Sequence, residues 1–185
     1  MDGLRLFLKC IVTFLCLTMA QGAFAVQNDK LDALFDQLSM AQAQDAPLIE
    51  QNIKDELSRS GSDAMDLLLE LGRAALEQGD SVLAIEHFTA LIDHAPEFAE
   101  GYNGRATAYF HSGLYGAAMA DIGKTLTLES RHFGVMSGMA LILADLERYE
   151  AALKVLREIQ KLHPYMVGLD ERIEQLELVL VGAAL

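Results

Sequence analysis

The sequence predicts an all-α fold: an α-solenoid of three helix pairs, with a helical hairpin before it and a capping helix after it. Three observations predict it. Apolar residues recur every three to four positions in runs of about 14 residues, the spacing of one helix face. The pattern of small residues, large residues and breaks recurs without gaps at an interval of 34 residues, in three successive frames. Only 3 prolines and 14 glycines interrupt 185 residues, 52% of which are hydrophobic: enough for a buried core, and too apolar for a solvated coil.

Residues 1–25 stand apart. Arg5 and Lys9 give a weakly positive start, diluted by Asp2; an apolar run covers Cys10 to Met19; Ala23 and Ala25 supply the small-x-small pattern that signal peptidase accepts. This is the layout of a secretory signal peptide, which takes no part in the fold. A retained anchor is the alternative, since the stretch from Leu6 to Ala25 nearly reaches the ~20 residues that span a bilayer. Lipoprotein processing is disfavoured because Leu15, not a small residue, precedes Cys16. Cleavage after Ala25 removes two basic residues and one acidic one, taking the formal charge from −13 to −14. Both cysteines, Cys10 and Cys16, leave with the segment. The remaining 160 residues then hold no disulfide, thiolate nucleophile or cysteine metal site, and an oxidising compartment poses no problem for folding.

Residues 26–64 carry two helical stripes, one of Leu31, Leu34, Phe35 and Leu38, the other of Ile49, Ile53 and Leu57 after a helix start at Pro47. Ser60, Gly61, Ser62 and Asp63 form a break and cap. The expectation is a hairpin stacked on the N-terminal end of the solenoid. It is not a fourth repeat, because Leu38 and Glu50 stand where small residues are required.

The repeat frames are 65–98, 99–132 and 133–166. In the first, Leu68, Leu71, Ala75 and Leu76 give one apolar face; Gly79 ends that helix and Asp80 or Ser81 caps the next. Leu83, Ala84, Phe88, Leu91 and Ile92 give the second face. Gly72 and Ala84 let the two backbones approach closely. Pro96 closes the unit and opens the next helix, where its missing N–H costs nothing. One frame on, Ala106 stands for Gly72, Gly113 for Gly79, Ala118 for Ala84 and Ile122 for Phe88. The frame after that gives Ala140, Ala152, Leu156, Ile159 and Pro164. A single pair cannot bury both its faces, and about three pairs are needed for a stable stack.

With large residues at repeat position 4, small ones at 8 and 20, large ones at 24 and Pro at 32, these frames resemble the tetratricopeptide-repeat (TPR) family over 102 of the 160 residues. The resemblance implies two antiparallel helices per repeat, wound into a right-handed superhelix with a concave groove. It is to small exported bacterial members of the family, and therefore implies a periplasmic location. Three departures stand out. Ser130 replaces the second Pro; Arg105 and Asp121 occupy positions that face each other across the second helix pair, an expected ion pair; and Glu147 replaces the third turn glycine, so that turn is expected to differ.

Residues 167–185 begin as a capping helix, with Asp170, Glu171, Glu174 and Glu177 on a wet face and Leu169, Ile173, Leu176 and Leu180 on a dry one. The apolar end, Leu178 to Leu185, either packs on the third repeat or offers a self-association or partner strip.

Chemistry is not where the sequence points. The net charge of −13 disfavours nucleic acid and anionic lipid surfaces. His87, His94, His111, His132 and His163 fall at five different repeat positions, with no helical zinc spacing. No nucleophile elbow, phosphate loop or dinucleotide loop occurs. No catalytic residue, metal ligand or cofactor site is expected, and no enzyme activity.

Binding is expected instead. The resemblance places ligand-facing side chains at positions 2, 5, 9, 12 and 13 of each first helix. These are Asp66, Leu69, Arg73, Leu76 and Glu77; Glu100, Asn103, Thr107, Phe110 and His111; and Gly134, Ser137, Leu141, Ala144 and Asp145. Chaperone-binding members of the family clamp a terminal carboxylate with Lys, Asn and Arg. Leu69, Gly104 and Gly138 occupy the corresponding positions here, with only Arg73 basic, so that mode is not expected. The lining suits a neutral or basic peptide segment of a partner protein. The expected role is an interaction scaffold. The alternatives are self-association through the tail, or a non-catalytic subunit that positions an enzyme.

Overall fold

The computed structural model describes residues 29–183; the segment 1–28, which carries the expected signal peptide, and residues 184–185 lie outside the described residues. Within them the chain is all helical. Helix α1 covers 29–40 and α2 is Ala46–Leu57. The three pairs follow: α3 Asp63–Glu77 with α4 Ser81–His94, α5 Ala99–His111 with α6 Tyr115–Leu128, and α7 Phe133–Asp145 with α8 Tyr149–Leu162. Helix α9, Leu169–Ala183, packs on α8.

The turns inside the pairs share one solution. Gly79, Gly113 and Glu147 all lie in the left-handed region, at φ 77°, 72° and 58°. Each donates its N–H three residues back, to Leu76, Phe110 and Ala144, and the next residue donates five back, to Ala75, Tyr109 and Leu143. Glu147 therefore forms the same turn as the two glycines, contrary to expectation. Backbone bonding holds it there against the steric penalty that a Cβ carries in this region. Asp80 caps α4 by accepting from Leu83 N–H at 3.0 Å. Pro96 sits in the loop between α4 and α5 and ends the unit without opening the next helix, which starts at Ala99.

The core is a series of interlocked seams. Phe88 is fully buried, and its ring lies where both Gly72 of its own repeat and Gly104 of the next lack a side chain; a Cβ at either site would overlap the ring. Gly101 packs on Leu91 and Ile92 in the same seam. One repeat later Ala106 carries a methyl where Gly72 has none, and the residue in Phe88's place is the smaller Ile122. Arg105 and Asp121 form the expected pair, with Nε donating to Oδ2 at 2.7 Å and Nη2 to Oδ1 at 2.9 Å.

The N-terminal hairpin is not where the sequence suggested. Its buried residues, Leu31, Leu34, Phe35, Leu38 and Ile53, join Phe133, Leu156, Ile159 and Leu169 in one cluster, not the first-repeat cluster of Leu69, Phe88 and Leu91. The hairpin lies along the edge of the solenoid formed by the inter-repeat turns. Phe35 meets Phe133 edge-on at 6.3 Å, and Arg131 lies over Phe35 at 4.3 Å while donating to Asp32 at 2.6 Å. His163 and Glu50 lie 2.9 Å apart. The third repeat presents Phe133, Leu156 and Ile159 at this edge, and the hairpin's stripe covers them from water.

Candidate functional site

Arg73, Glu100 and Asn103 line one hollow beside α2 and α7, and Asn103, Thr107, Phe110, His111 and Leu141 line another between α5 and α7. Their roles divide in two.

Toward the first repeat the polar side chains are engaged by the chain's own contacts. Leu69 is only 1% exposed and packs in the core with Phe88 and Leu91, so it is not a groove residue. Asn103 and Ser137, one and two repeats on, are polar and stay half-buried; an apolar leucine gains by turning inward. Asp66 accepts from both the N–H and the hydroxyl of Ser60, fastening the linker between α2 and α3. Glu100 is buried, and its carboxylate accepts from Arg73 at 2.8 Å, His132 Nε2 at 2.6 Å and Asn103 at 3.2 Å. His132 also caps α7, because its Nδ1 accepts from Val135 N–H at 3.2 Å. That bond places the ring proton on Nε2, facing Glu100. Arg73 also donates to Ser58 at 2.9 Å. Lys54, Asp55, Leu57 and Ser58 wall this hollow of about 410 Å³ from the α2 side. Glu100, Asn103 and Arg73 thus form an internal polar node that, with His132, joins all three repeats.

The node has an electrostatic consequence. Burial pushes the Glu100 carboxyl up, but the His132 hydrogen bond, the Arg73 charge and the Asn103 bond together outweigh it and hold the group below the ordinary 4.5. A carboxyl depressed in the fold contributes stability that is complete above the ordinary value and lost as pH falls through the folded one. Glu100→Gln is expected to cost about 1.5–3 kcal/mol at neutral pH, the range for hydrogen bonds to charged groups. It is also expected to flatten the fall in stability below pH 4.5. Urea unfolding at neutral and acid pH checks both; an unchanged acid slope would remove Glu100 from the account. Glu50 is depressed in the same sense, burial being outweighed by Lys54 and His163, and so leaves a residual slope.

Toward the third repeat the face is open. A cavity of about 220 Å³ lies between α5 and α7, with Asn103, Thr107, Phe110 and His111 on one wall and Gly134, Gly138 and Leu141 on the other. Its floor is Ala106, Ile122 and Ile142. Thr107, His111 and Leu141 are exposed, and Phe110 stacks on Tyr115 at 5.7 Å. Asp145 is exposed and accepts from the Tyr115 hydroxyl at 3.1 Å. Glu77 is exposed on α3, and the Ser137 hydroxyl is turned to the Phe133 carbonyl at 3.0 Å. The apolar groove is therefore the α5–α7 half of the expected site. The His132–Glu100 link was not among the expectations. The repeat length was its signal, since residues 32 positions apart in a 34-residue stack are neighbours.

Known proteins agree with this architecture. A tetratricopeptide-repeat model matches residues 69–128. A TPR repeat-containing protein of Rhizobium etli is 32% identical over 163 residues, covering 88% of this chain and 80% of its own length. Among solved structures, the first TPR domain of human RPAP3 superposes with a TM-score of 0.60 at 22% identity, over 64% of this chain and 93% of that one. The Sgt2 TPR domain of Aspergillus fumigatus gives 0.62 at 20% identity, over 66% and 83%. A first TPR domain of RPAP3 has also been solved bound to the HSP90 peptide SRMEEVD, with a TM-score of 0.60 at 22% identity, over 63% of this chain and 95% of that one. Repeat frames, turn geometry, seams and a relative matched over most of its length coincide: the chain belongs to the tetratricopeptide-repeat family.

Proposed function

We propose that this protein is an exported, non-catalytic interaction scaffold that binds a segment of a partner protein in the α5–α7 half of its concave groove. The observation that supports it most is the open cavity on that face, with apolar walls and the exposed polar tips of Thr107 and His111 at its mouth. An apolar hollow with a few convergent polar groups is the common form of a binding site. Peptide binding by related folds adds support, as in the RPAP3 domain with its HSP90 peptide and the yeast Sti1 domain complexed with pHsp70. A carboxylate clamp is not proposed here. Arg73 is already bonded to Glu100 and Ser58. The acidic side chains Glu77 and Asp145 suit a neutral or basic segment.

The layout of residues 1–25 supports export, with the periplasm as the proposed location. Among the described residues no helix is long and apolar enough to cross a membrane. The test is affinity capture from an envelope extract with residues 26–185, read beside a His111→Ala, Leu141→Ser double variant. Both side chains are exposed, so the fold is expected to survive. A partner held by the wild type and at least about tenfold depleted with the variant supports the groove; equal capture by both moves binding elsewhere. One observation favours a second reading: Leu178 and Val181 on α9 are 66% and 63% exposed and could seat a second copy. A concentration-independent monomer in gel filtration with light scattering would dismiss it.

A further inference from the structure

The two seams of the solenoid are built to the same plan and filled differently. In the first, the ring of Phe88 on α4 occupies the space left by Gly72 on α3 and Gly104 on α5, so completely that a Cβ at either glycine would overlap it. The next seam keeps the second of these glycines: Gly138 stands one repeat after Gly104. It does not keep the ring. Ala106 replaces Gly72 and Ile122 replaces Phe88, and a Cβ built on Gly138 meets no atom within 4 Å. The space that a ring fills in the first seam is the α5–α7 cavity in the second, and it opens to the concave face.

We propose that this cavity is an anchor pocket for a single ring or long aliphatic side chain of the partner, flanked in the partner's sequence by lysine or arginine. The inference rests on the groove reading and names the chemistry of its ligand. Size supports it. About 220 Å³ is below the ~300 Å³ at which pockets for drug-sized ligands begin. It exceeds the roughly 150 Å³ that accepts a benzene molecule in an apolar protein cavity. Chemistry supports it too, because Ile122, Ile142, Leu141 and Phe110 offer carbon on several sides and an anchor would lose little hydration that it does not regain as contact. Charge sets the flanks. Asp145 is exposed one helical turn beyond Leu141 and Glu77 is exposed on α3, whereas Arg73 is engaged by Glu100. A cation beside the anchor meets these acidic side chains.

The test uses blocked tripeptides Lys-Phe-Lys, Lys-Ala-Lys and Glu-Phe-Glu, titrated into residues 26–185 and read by amide chemical shifts. Lys-Phe-Lys is expected to move the Gly134, Gly138 and Leu141 signals saturably, at least about tenfold more tightly than either of the others, the equivalent of one strong contact. Gly138→Leu plugs the pocket from α7 and is expected to abolish the response. A second variant, Ala106→Gly with Ile122→Phe, recreates the filled first seam from the opposite wall and is expected to do the same with the melting temperature maintained. Equal binding of Lys-Ala-Lys, or an undiminished response in a folded plugged variant, overturns the anchor pocket. Tighter binding of Glu-Phe-Glu overturns the charge assignment. Failure of the groove reading itself is seen separately, in partner capture that ignores His111 and Leu141.

Discussion

Replacing Phe88 by alanine is expected to destabilise the protein by about 3–5 kcal/mol, the cost of truncating a fully buried aromatic residue. The upper half of that range is the expectation here, for a reason specific to the seam. The ring serves three helices at once: it is carried by α4 and covers the bare backbones of α3 at Gly72 and α5 at Gly104. A cavity bounded by two glycine backbones has few side chains able to relax into it, and the cost grows with the volume that stays empty. The loss is also placed where it does most harm. A solenoid holds together by nearest-neighbour interfaces, and this one joins the first repeat to the rest. Total stabilities are commonly about 5–15 kcal/mol, so the variant is expected to unfold its first repeat before the remainder. Helicity and near-ultraviolet signals would then cease to coincide in urea. Gly104→Ala approaches the same seam from the other side and is expected to cost about 1–3 kcal/mol by overpacking, although alanine is ordinarily the better helix former. A cost for Phe88→Ala below about 1 kcal/mol, or a gain from Gly104→Ala, would show that the seam is not interlocked.

How much of this was legible beforehand follows from what a periodic pattern encodes. The spacing of Gly72, Ala84 and Phe88, and its return at Ala106, Ala118 and Ile122, locates helices and their inward faces because only small residues permit close approach. It gives the fold and the helix pairs directly. A stripe such as Leu31, Leu34, Phe35 and Leu38 says that a face is buried and not what buries it. The hairpin's place against Phe133, Leu156 and Ile159 depends on contacts about a hundred residues away in the chain, such as that of Asp32 with Arg131. Groove residues were legible by position, and Thr107, Phe110, His111 and Leu141 do border the open cavity. Leu69 and Glu100 were not, because position fixes the direction of a side chain while its partners decide whether it is available. Leu69 finds an apolar core, and Glu100 finds His132 and Arg73. The glycine at 138 and the shorter side chain at 122 mark the cavity only once the structure shows how the first seam is filled.

Arg105→Ala is expected to cost about 3–5 kcal/mol, the range for removing one partner from a buried ion pair. Geometry decides the size. The guanidinium meets the Asp121 carboxylate through two parallel bonds and donates a further bond to Thr89 at 3.2 Å. It also lies 5.9 Å and 5.8 Å from the ring centres of Tyr102 and Tyr109. With Arg105 gone, the Asp121 carboxylate, whose side chain is 10% exposed, stays in the protein without its counter-charge. The reverse change leaves a different orphan. Asp121→Ala strands an arginine whose side chain is 18% exposed and long enough to reach water past the tyrosines. It is therefore expected to cost less than Arg105→Ala. Replacing both together with a pair of apolar residues of similar bulk, Arg105→Met with Asp121→Leu, removes the desolvated charges along with their attraction and is expected to be near neutral. Chemical denaturation of the wild type and the three variants weighs the two orphans against the apolar replacement. A double variant as unstable as Arg105→Ala would mean that the pair contributes attraction well beyond its own desolvation, and would give it a larger part in holding α5 to α6 than its burial alone implies.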